Sequence, residues 1–154
     1  MNTKKILITG GAGFIGGNFV HYLINNYPDY KVYNLDALTY AGELSKHRGL
    51  EARDNYHFIE ADIANRHAIT SLFKQEKFDY VIHFAAESHV DRSITDPETF
   101  IRTNVLGTQV LLDATRESGI TKFVHISTDE VYGDLDFEST ALFTEDSPLK
   151  PNSP

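Results

Sequence analysis

Short apolar runs alternate along the chain with amphipathic stretches at helical spacing. Five runs are typical of strands because they are rich in β-branched and aromatic residues: 5–9, 31–36, 56–59, 80–84 and 122–126. Three stretches predict helices over about 14–25, 65–74 and 97–118. In the last helix, five residues are expected to face inward: Phe100, Ile101, Val105, Leu111 and Leu112. Polar residues 37–55 and proline-rich residues 148–154 predict loops, so the chain is expected to form an α/β fold with a doubly wound parallel sheet in the order 3-2-1-4-5.

A glycine pattern stands between the first strand and the first helix. Gly10, Gly13 and Gly16 form the spacing G-x-x-G-x-x-G. The first glycine permits a tight turn, the second lets the backbone approach a pyrophosphate, and the third lets the helix pack closely on the sheet. The dipole and free N–H groups of that helix then face the phosphates. Because the pattern follows a strand and opens a helix, it predicts a dinucleotide site in a Rossmann-like sheet.

An acidic residue closes the second predicted strand. Asp36 lies at the distance from the glycines, about 20 residues, at which a ribose-binding carboxylate is expected. Such a carboxylate accepts hydrogen bonds from both ribose hydroxyls and repels a 2′-phosphate. We therefore expect NAD rather than NADP as the cofactor. The alternative at this point is an aspartate that only caps a turn.

A hydroxyl and two carboxylates directly follow the fifth strand. Thr128, Asp129 and Glu130 are expected at the carboxyl edge of the sheet, outside which ligands bind. Two adjacent carboxylates in a cleft repel each other, so one stays protonated and acts as an acid while the other acts as a base. The three residues are therefore candidate catalytic groups, with a solvated acidic turn as the alternative.

Composition narrows the function classes. The 154 residues are 41% hydrophobic and 12% aromatic, which is typical of one globular domain. A formal net charge of −8 without a basic cluster argues against a nucleic-acid partner. The absence of cysteine excludes disulfides and thiol catalysis, and no apolar stretch approaches the roughly 18 residues of a membrane span. We expect a cytoplasmic protein that has no membrane association.

Several polar residues in apolar surroundings allow more than one interpretation. His83 and His125 lie on neighbouring predicted strands, where buried, hydrogen-bonded histidines are favoured over a metal pair. His89 and Asp91 lack a third ligand, so no metal site is predicted. Asn104 is expected either to hold a water or a backbone carbonyl, or to pack within its helix.

Five stretches of the sequence together resemble the dTDP-glucose 4,6-dehydratase family of the extended short-chain dehydrogenase/reductases. They are residues 10–16, 36–40, 85–91, 103–108 and 127–133. The resemblance implies an NAD site made by the pyrophosphate-side residues Phe14 and Ile15, the ribose segment Asp36, Ala37, Leu38 and Thr39, the adenine pair Asp62 and Ile63, and the nicotinamide-side residues Phe84, Ala85, Ala86, Glu87 and Thr103. It also implies that Ser88 and Thr128 contact the sugar of the substrate.

The family reaction, as the resemblance implies it, oxidises dTDP-glucose at C4, eliminates water across C5–C6 and returns the hydride to C6. Glu130 would then be the base at C5, Asp129 the acid at the C6 hydroxyl, and Thr128 the group that polarises the C4 hydroxyl. A nucleotide-sugar 4-epimerase and other nucleotide-sugar 4,6-dehydratases remain alternatives. The adjacent carboxylates favour a dehydratase, since an epimerase needs no such pair. The resemblance further implies a homodimer.

The C4 oxidation in this family needs a further base, the tyrosine of a Tyr-x-x-x-Lys pair. The chain has one match, Tyr27 and Lys31, but it precedes the second strand, and Pro28 disfavours a helix there. We therefore expect residues 1–154 to form one NAD-binding domain that is incomplete at its C-terminus, without the last strands and the substrate-binding domain. An inactive NAD-binding fragment is the third functional alternative.

Overall fold

Five parallel strands form a single sheet in the computed structural model, which describes residues 3–152. Their order is β3-β2-β1-β4-β5, as predicted. The strands are β1 (Lys5–Thr9), β2 (Lys31–Asp36), β3 (Tyr56–Glu60), β4 (Tyr80–His83) and β5 (Lys122–His125). Because the order reverses between β1 and β4, a crevice opens at the carboxyl end of β1, which is where such sheets bind ligands.

Helices connect the strands. They are α1 (Phe14–Asn26), α2 (Arg66–Glu76), α3 (Val90–Thr95), α4 (Pro97–Phe100), a π-helix (Ile101–Gly107) and α5 (Thr108–Glu117). Two 3₁₀ helices, Leu44–His47 and Asp129–Tyr132, lie in the segments that follow β2 and β5. Residues 134–152 contain no helix or strand, as predicted for their C-terminal part, and residues 153 and 154 of that prediction lie outside the described range.

Two apolar cores cover the two faces of the sheet. Ile6 and Ile8 point into one core and Leu7 into the other, because successive side chains of a strand face opposite ways. Helix α1 covers the first core, whereas α2 and α5 cover the second with residues such as Phe73 and Leu111. Burial on both faces explains why the central strands are nearly continuous apolar runs.

The predicted inward face of the long helix is partly wrong. Leu111 is fully buried and Phe100 half-buried, but Ile101, Val105 and Leu112 are exposed. Residues 101–107 form a π-helix, which has more residues per turn than an α-helix. The 3.6-residue spacing therefore does not predict which side chains face the core along the whole stretch.

Helix α3 is an element that the sequence did not predict. It is separated from α4 by Asp96, whose side chain accepts a hydrogen bond from the backbone nitrogen of Thr99 at 3.4 Å and so caps α4. With only six residues, α3 is too short for a clear helical period. It directly follows residues 84–89, which leave β4 at the carboxyl edge of the sheet, and it therefore lies near the ligand crevice.

Strand β5 is less buried than expected. Its residues are half-buried or exposed, and His125 is exposed, which contradicts the prediction of a buried histidine there. The reason is its position: among residues 3–152, β5 pairs with β4 alone and forms the edge of the sheet. Within the same range, none of the helices has the length and apolarity needed to cross a membrane.

Candidate active site

The turn between β1 and α1 is built from glycines that leave no space for side chains on their protein side. Gly10 has a φ of +73°, and a Cβ there would lie 2.5 Å from the backbone nitrogen of Ala85. A Cβ on Gly16 would overlap the carbonyl oxygen of Gly10, so this glycine packs against the turn rather than against the sheet. A Cβ on Gly13, in contrast, would lie 3.2 Å from that same oxygen, an approach that a small shift relieves. The turn is therefore closely packed inside and open where a ligand would approach.

Helix α1 begins at this turn with donors available for an anion. Its N-cap is Gly13, which offers no side-chain cap, and its first turn holds no acidic residue. Phe14 and Ile15 are 77% and 64% exposed. The first N–H groups of a helix have no partner within the helix, and phosphates bind them readily. The geometry fits the pyrophosphate predicted to lie against these two residues.

Asp36 joins the end of β2 to the glycine turn. One carboxylate oxygen accepts a hydrogen bond from the backbone nitrogen of Ala12 and the other from that of Leu38, both at 2.9 Å. The residue is only 8% exposed. Since each carboxylate oxygen can accept two hydrogen bonds, capacity for a ribose hydroxyl remains. Of the segment that follows, Ala37 and Thr39 are exposed and Leu38 is half-buried.

The predicted adenine pair lies at the carboxyl end of β3. Asp62 accepts hydrogen bonds from the backbone nitrogen of Ala64 at 2.8 Å and from the guanidinium of Arg102 at 2.6 Å. Ile63 is buried against Gly107 of the π-helix, where a Cβ would lie 2.6 Å from the Ile63 side chain. The pair is therefore held between β3 and the π-helix.

A buried polar chain links β1, β4 and α5. His83 Nδ1 lies 2.6 Å from the Thr9 hydroxyl, and His83 Nε2 lies 3.0 Å from the Thr108 hydroxyl. Burial, with a smaller contribution from His125, lowers the pKa of His83 to about 4. His83 is thus the buried, hydrogen-bonded histidine that the sequence favoured. No group of three or more potential metal ligands occurs within residues 3–152.

The segment after β4 is fastened by Asn104 of the π-helix. The amide of Asn104 accepts a hydrogen bond from the backbone nitrogen of Glu87 at 2.8 Å and donates one to the carbonyl of Glu87 at 2.9 Å. Of the alternatives for Asn104, the bond to a backbone carbonyl is therefore the correct one. Nearby predicted site residues are half-buried (Phe84, Ala85 and Thr103) or exposed (Ala86 and Ser88).

The candidate catalytic residues lie at the same edge of the sheet, after β5. Thr128 Oγ1 accepts a hydrogen bond from the backbone nitrogen of Glu130 at 3.3 Å and donates one to the Asp129 carboxylate at 3.2 Å. All three side chains are exposed. Within residues 3–152, the loop that follows packs on the 3₁₀ helix, where Tyr132 stacks on Phe143, and it leaves the three side chains open to solvent.

The Tyr-x-x-x-Lys match lies far from these residues. Tyr27 follows the last residue of α1, and Lys31 is the first residue of β2, at the amino edge of the sheet. The two residues do not share a helix, and Thr128 lies at the opposite, carboxyl edge. The structure thus agrees with the dismissal of this pair as the C4 base.

His47 is a buried residue beside the glycine turn that the sequence analysis did not identify. Its Nε2 lies 2.7 Å from the carbonyl oxygen of Gly11 and donates a hydrogen bond to it, and the residue is 1% exposed. Burial is the main cause that lowers the pKa of His47. The residue sits in the polar stretch 37–55, whose lack of periodicity offered no signal of a buried position.

Comparison with known proteins identifies a matching family and several similar proteins. A family model described as GDP-mannose 4,6 dehydratase matches residues 7–154. Among curated proteins, the low-salt glycan biosynthesis protein Agl12 of Haloferax volcanii is 50% identical over 149 residues, which cover 97% of this chain and 46% of Agl12. The dTDP-glucose 4,6-dehydratase of Mycobacterium tuberculosis (strain ATCC 25618 / H37Rv) is 47% identical over 150 residues, which cover 97% of this chain and 44% of that enzyme. The chain thus spans less than half the length of these relatives.

Solved structures agree with this result. The dTDP-glucose 4,6-dehydratase of Bacillus anthracis str. Ames, crystallised in complex with NAD, superposes with a TM-score of 0.86 at 43% identity, covering 99% of this chain and 46% of that enzyme. A UDP-Glc/GlcNAc 4-epimerase from Campylobacter jejuni reaches the same TM-score at 32% identity, covering 97% of this chain and 44% of the epimerase. The fold is thus shared with epimerases, while the dehydratase is the more similar in sequence.

Proposed function

Since the chain belongs to the GDP-mannose 4,6-dehydratase family, we propose that it forms the cofactor-binding part of an NAD-dependent dTDP-glucose 4,6-dehydratase. The observation that carries the proposal is the joint placement of a hydroxyl and two carboxylates, Thr128, Asp129 and Glu130, at the same sheet edge as an open glycine turn. The names of the similar enzymes support the substrate. The adjacent carboxylates favour dehydration over 4-epimerisation, which needs no such pair.

The residues present fit an NAD molecule across the crevice. The uncapped start of α1 would bind the pyrophosphate, Asp36 the adenosine ribose, and Asp62 with Ile63 the adenine. The segment 84–87 and Thr103 would line the nicotinamide side. When bound, NAD⁺ supplies the reversible acceptance of hydride from the sugar. Asp36 favours NAD over NADP because its carboxylate would repel a 2′-phosphate.

The chain's own residues would carry out the proton transfers. Glu130 removes the proton at C5 once the neighbouring C4 is a ketone, since the ketone acidifies that proton. Asp129 protonates the C6 hydroxyl as it leaves, and Thr128 donates a hydrogen bond at C4 that polarises this centre. A positioned acid or base contributes roughly 10²–10⁴-fold to such a step. Ser88 would contact the sugar beside Thr128.

Further parts of the proposal concern the whole protein. We propose that the tyrosine base for C4 and the substrate-binding domain lie outside residues 1–154, because Tyr27 and Lys31 lie at the wrong edge of the sheet. We also propose a homodimer. In support, the π-helix and α5 expose apolar side chains that a second copy of the chain would cover: Ile101, Val105 and Leu112.

The proposal is tested in a chimaera that joins residues 1–154 to the remaining part of the Mycobacterium tuberculosis relative. Glu130→Gln should block exchange of the C5 proton with solvent while C4 oxidation stays visible as transient NADH absorbance. Asp129→Asn should slow loss of water more than it slows proton exchange. Glu138→Gln, which changes an exposed carboxylate in the following loop, serves as the matched control. Wild-type turnover in both site variants, or a 4-epimer as the product, would refute the proposal.

A further inference from the structure

The loop that follows β2 is tied to the glycine turn at both of its ends. At its start, the Asp36 carboxylate accepts a hydrogen bond from the backbone nitrogen of Ala12 at 2.9 Å. At its end, the backbone nitrogen of Glu43 donates to the carbonyl of Ala12 at 3.0 Å. Both backbone groups of a single turn residue thus hold the loop. Tyr40, between these two anchors, is 57% exposed.

The segment that follows β4 is held in place independently. Asn104 binds both backbone groups of Glu87, whose side chain is 6% exposed. One oxygen of the Glu87 carboxylate has no hydrogen-bond partner among residues 3–152 and lies 3.9 Å from the guanidinium of Arg92 on α3. A buried carboxylate attracts the nearest cation strongly, so Glu87 restrains the direction in which Arg92 extends.

The segments that follow β2 and β4 contact each other through Tyr40 and Arg92. The guanidinium carbon of Arg92 lies 4.2 Å from the centre of the Tyr40 ring, which is cation–π geometry. Strands β2 and β4 flank β1 on its two sides. A contact between the segments that follow β2 and β4 therefore crosses the carboxyl end of β1, where the glycine turn lies.

We propose that Tyr40 and Arg92 form a clasp across the dinucleotide crevice that slows the release of the bound cofactor. The inference rests on the proposed NAD site and adds to it two positioning residues. The clasp joins the ribose side of the crevice to the nicotinamide side, so a dinucleotide bound beneath it leaves only when the contact opens. Retention suits a reaction that ends with the oxidised cofactor regenerated in place.

Release of NADH from residues 1–154 measures the clasp directly. The protein is loaded with NADH, excess NAD⁺ is added, and the decay of NADH fluorescence gives the dissociation rate. Arg92→Met and Tyr40→Leu should each speed dissociation about 2- to 5-fold, the change that a contact of about 0.5–1 kcal/mol produces. The double variant should be no faster than either single variant, because both substitutions remove one and the same contact.

Conservative and distant variants separate the clasp from a general structural effect. Tyr40→Phe keeps the ring and should dissociate NADH at the wild-type rate. Arg116→Met removes an arginine of α5 that forms a surface ion pair with Asp113, and it should also leave the rate unchanged. If Arg92→Met does not fold, the comparison of Tyr40→Leu with Tyr40→Phe decides, since Tyr40 is exposed in a loop.

The outcomes separate the clasp from the cofactor site beneath it. Unchanged rates in both single variants, or additive effects in the double variant, would overturn the clasp while leaving the NAD site in place. A wild-type chain that binds no NADH would overturn both the site and the clasp. A faster rate in Tyr40→Phe equal to that in Tyr40→Leu would assign the effect to the hydroxyl and also refute the clasp.

Discussion

Asp36 combines a structural and a recognition role in one side chain. Its carboxylate holds the backbone of Ala12 in the glycine turn and that of Leu38 in the loop that follows. The same charge lies where the adenosine ribose is proposed to bind. We therefore expect substitutions at this residue to change both the order of the turn and the choice of cofactor.

We predict that Asp36→Ala weakens NAD binding about 10- to 150-fold. Hydrogen bonds to a charged group contribute about 1.5–3 kcal/mol, which corresponds to this range. Asp36→Asn should bring the affinities for NAD and NADP closer together, because it removes the charge but keeps an acceptor. Calorimetric titration of both cofactors measures the effect, with Asp54→Ala at an exposed loop position as the control. Equal affinity of the wild type for the two cofactors would contradict the role of Asp36.

A second prediction concerns Gly10. Gly10→Ala should lower the free energy of unfolding by more than about 3 kcal/mol, because the left-handed backbone costs about 1–2 kcal/mol and the new Cβ meets the backbone of Ala85. Gly49→Ala is the matched control: its φ is also positive, at +86°, but apart from its chain neighbours no residue within 3–152 comes within 4 Å of the new Cβ. The control should lose only about 1–2 kcal/mol in urea unfolding. Equal losses would show that the contact with the backbone of Ala85 does not contribute to the destabilisation.

At the scale of elements, His83 connects two strands and a helix that lie far apart along the chain. Its ring bridges Thr9 of β1 and Thr108 of α5 from within β4. Because its pKa is lowered to about 4, the ring is neutral in the folded protein at pH 7. The unfolded chain, with an ordinary histidine pKa near 6.5, binds a proton at higher pH than the folded chain does.

The third prediction follows from this difference in proton binding. Stability from neutral His83 is fully present above pH 6.5 and is lost as the pH falls from 6.5 towards 4. Between pH 7 and pH 5 the loss should be about 2 kcal/mol, at roughly 1.4 kcal/mol for each pH unit below 6.5. The lowered pKa of His47 contributes with the same sign. Urea unfolding at both pH values measures the loss.

Variants assign this pH dependence to its source. His83→Asn is expected to be less stable at pH 7, but its stability should fall less than that of the wild type on acidification. His67→Asn, at an exposed position of α2, should keep the wild-type dependence. If His83→Asn lost as much stability as the wild type between pH 7 and pH 5, the source would lie elsewhere.

At the scale of the molecule, the sheet presents its turns and candidate catalytic groups along one edge. We predict that residues 1–154 alone bind NAD but form no 4-keto product from dTDP-glucose. No correctly placed tyrosine and lysine start the oxidation, and the exposed Asp129 and Glu130 lack the positioning that proximity requires. An assay of the purified chain with dTDP-glucose and NAD⁺ tests this. Product at a rate near that of an intact dehydratase would contradict it.

The sheet could be predicted from the sequence because its physical cause is local in the chain. Strands β1 and β2 match their predicted bounds, since burial on both faces requires continuous apolar runs. The strand order followed from the alternation of strands and helices. The glycine turn and Asp36 were likewise predictable, because backbone conformation and spacing restrict the residue types there.

Contacts between distant segments were decided by the tertiary structure alone. The π-helix, the buried His47, the contact of Tyr40 with Arg92 and the exposure of Asp129 each depend on residues far apart in sequence. Periodicity reports which face of an element is apolar, but it does not report which neighbour meets that face. The sequence by itself therefore determined the sheet and the residue types that lie at its carboxyl edge. Folding decided which side chains meet across the crevice, because only packing brings the segments after β2 and β4 together.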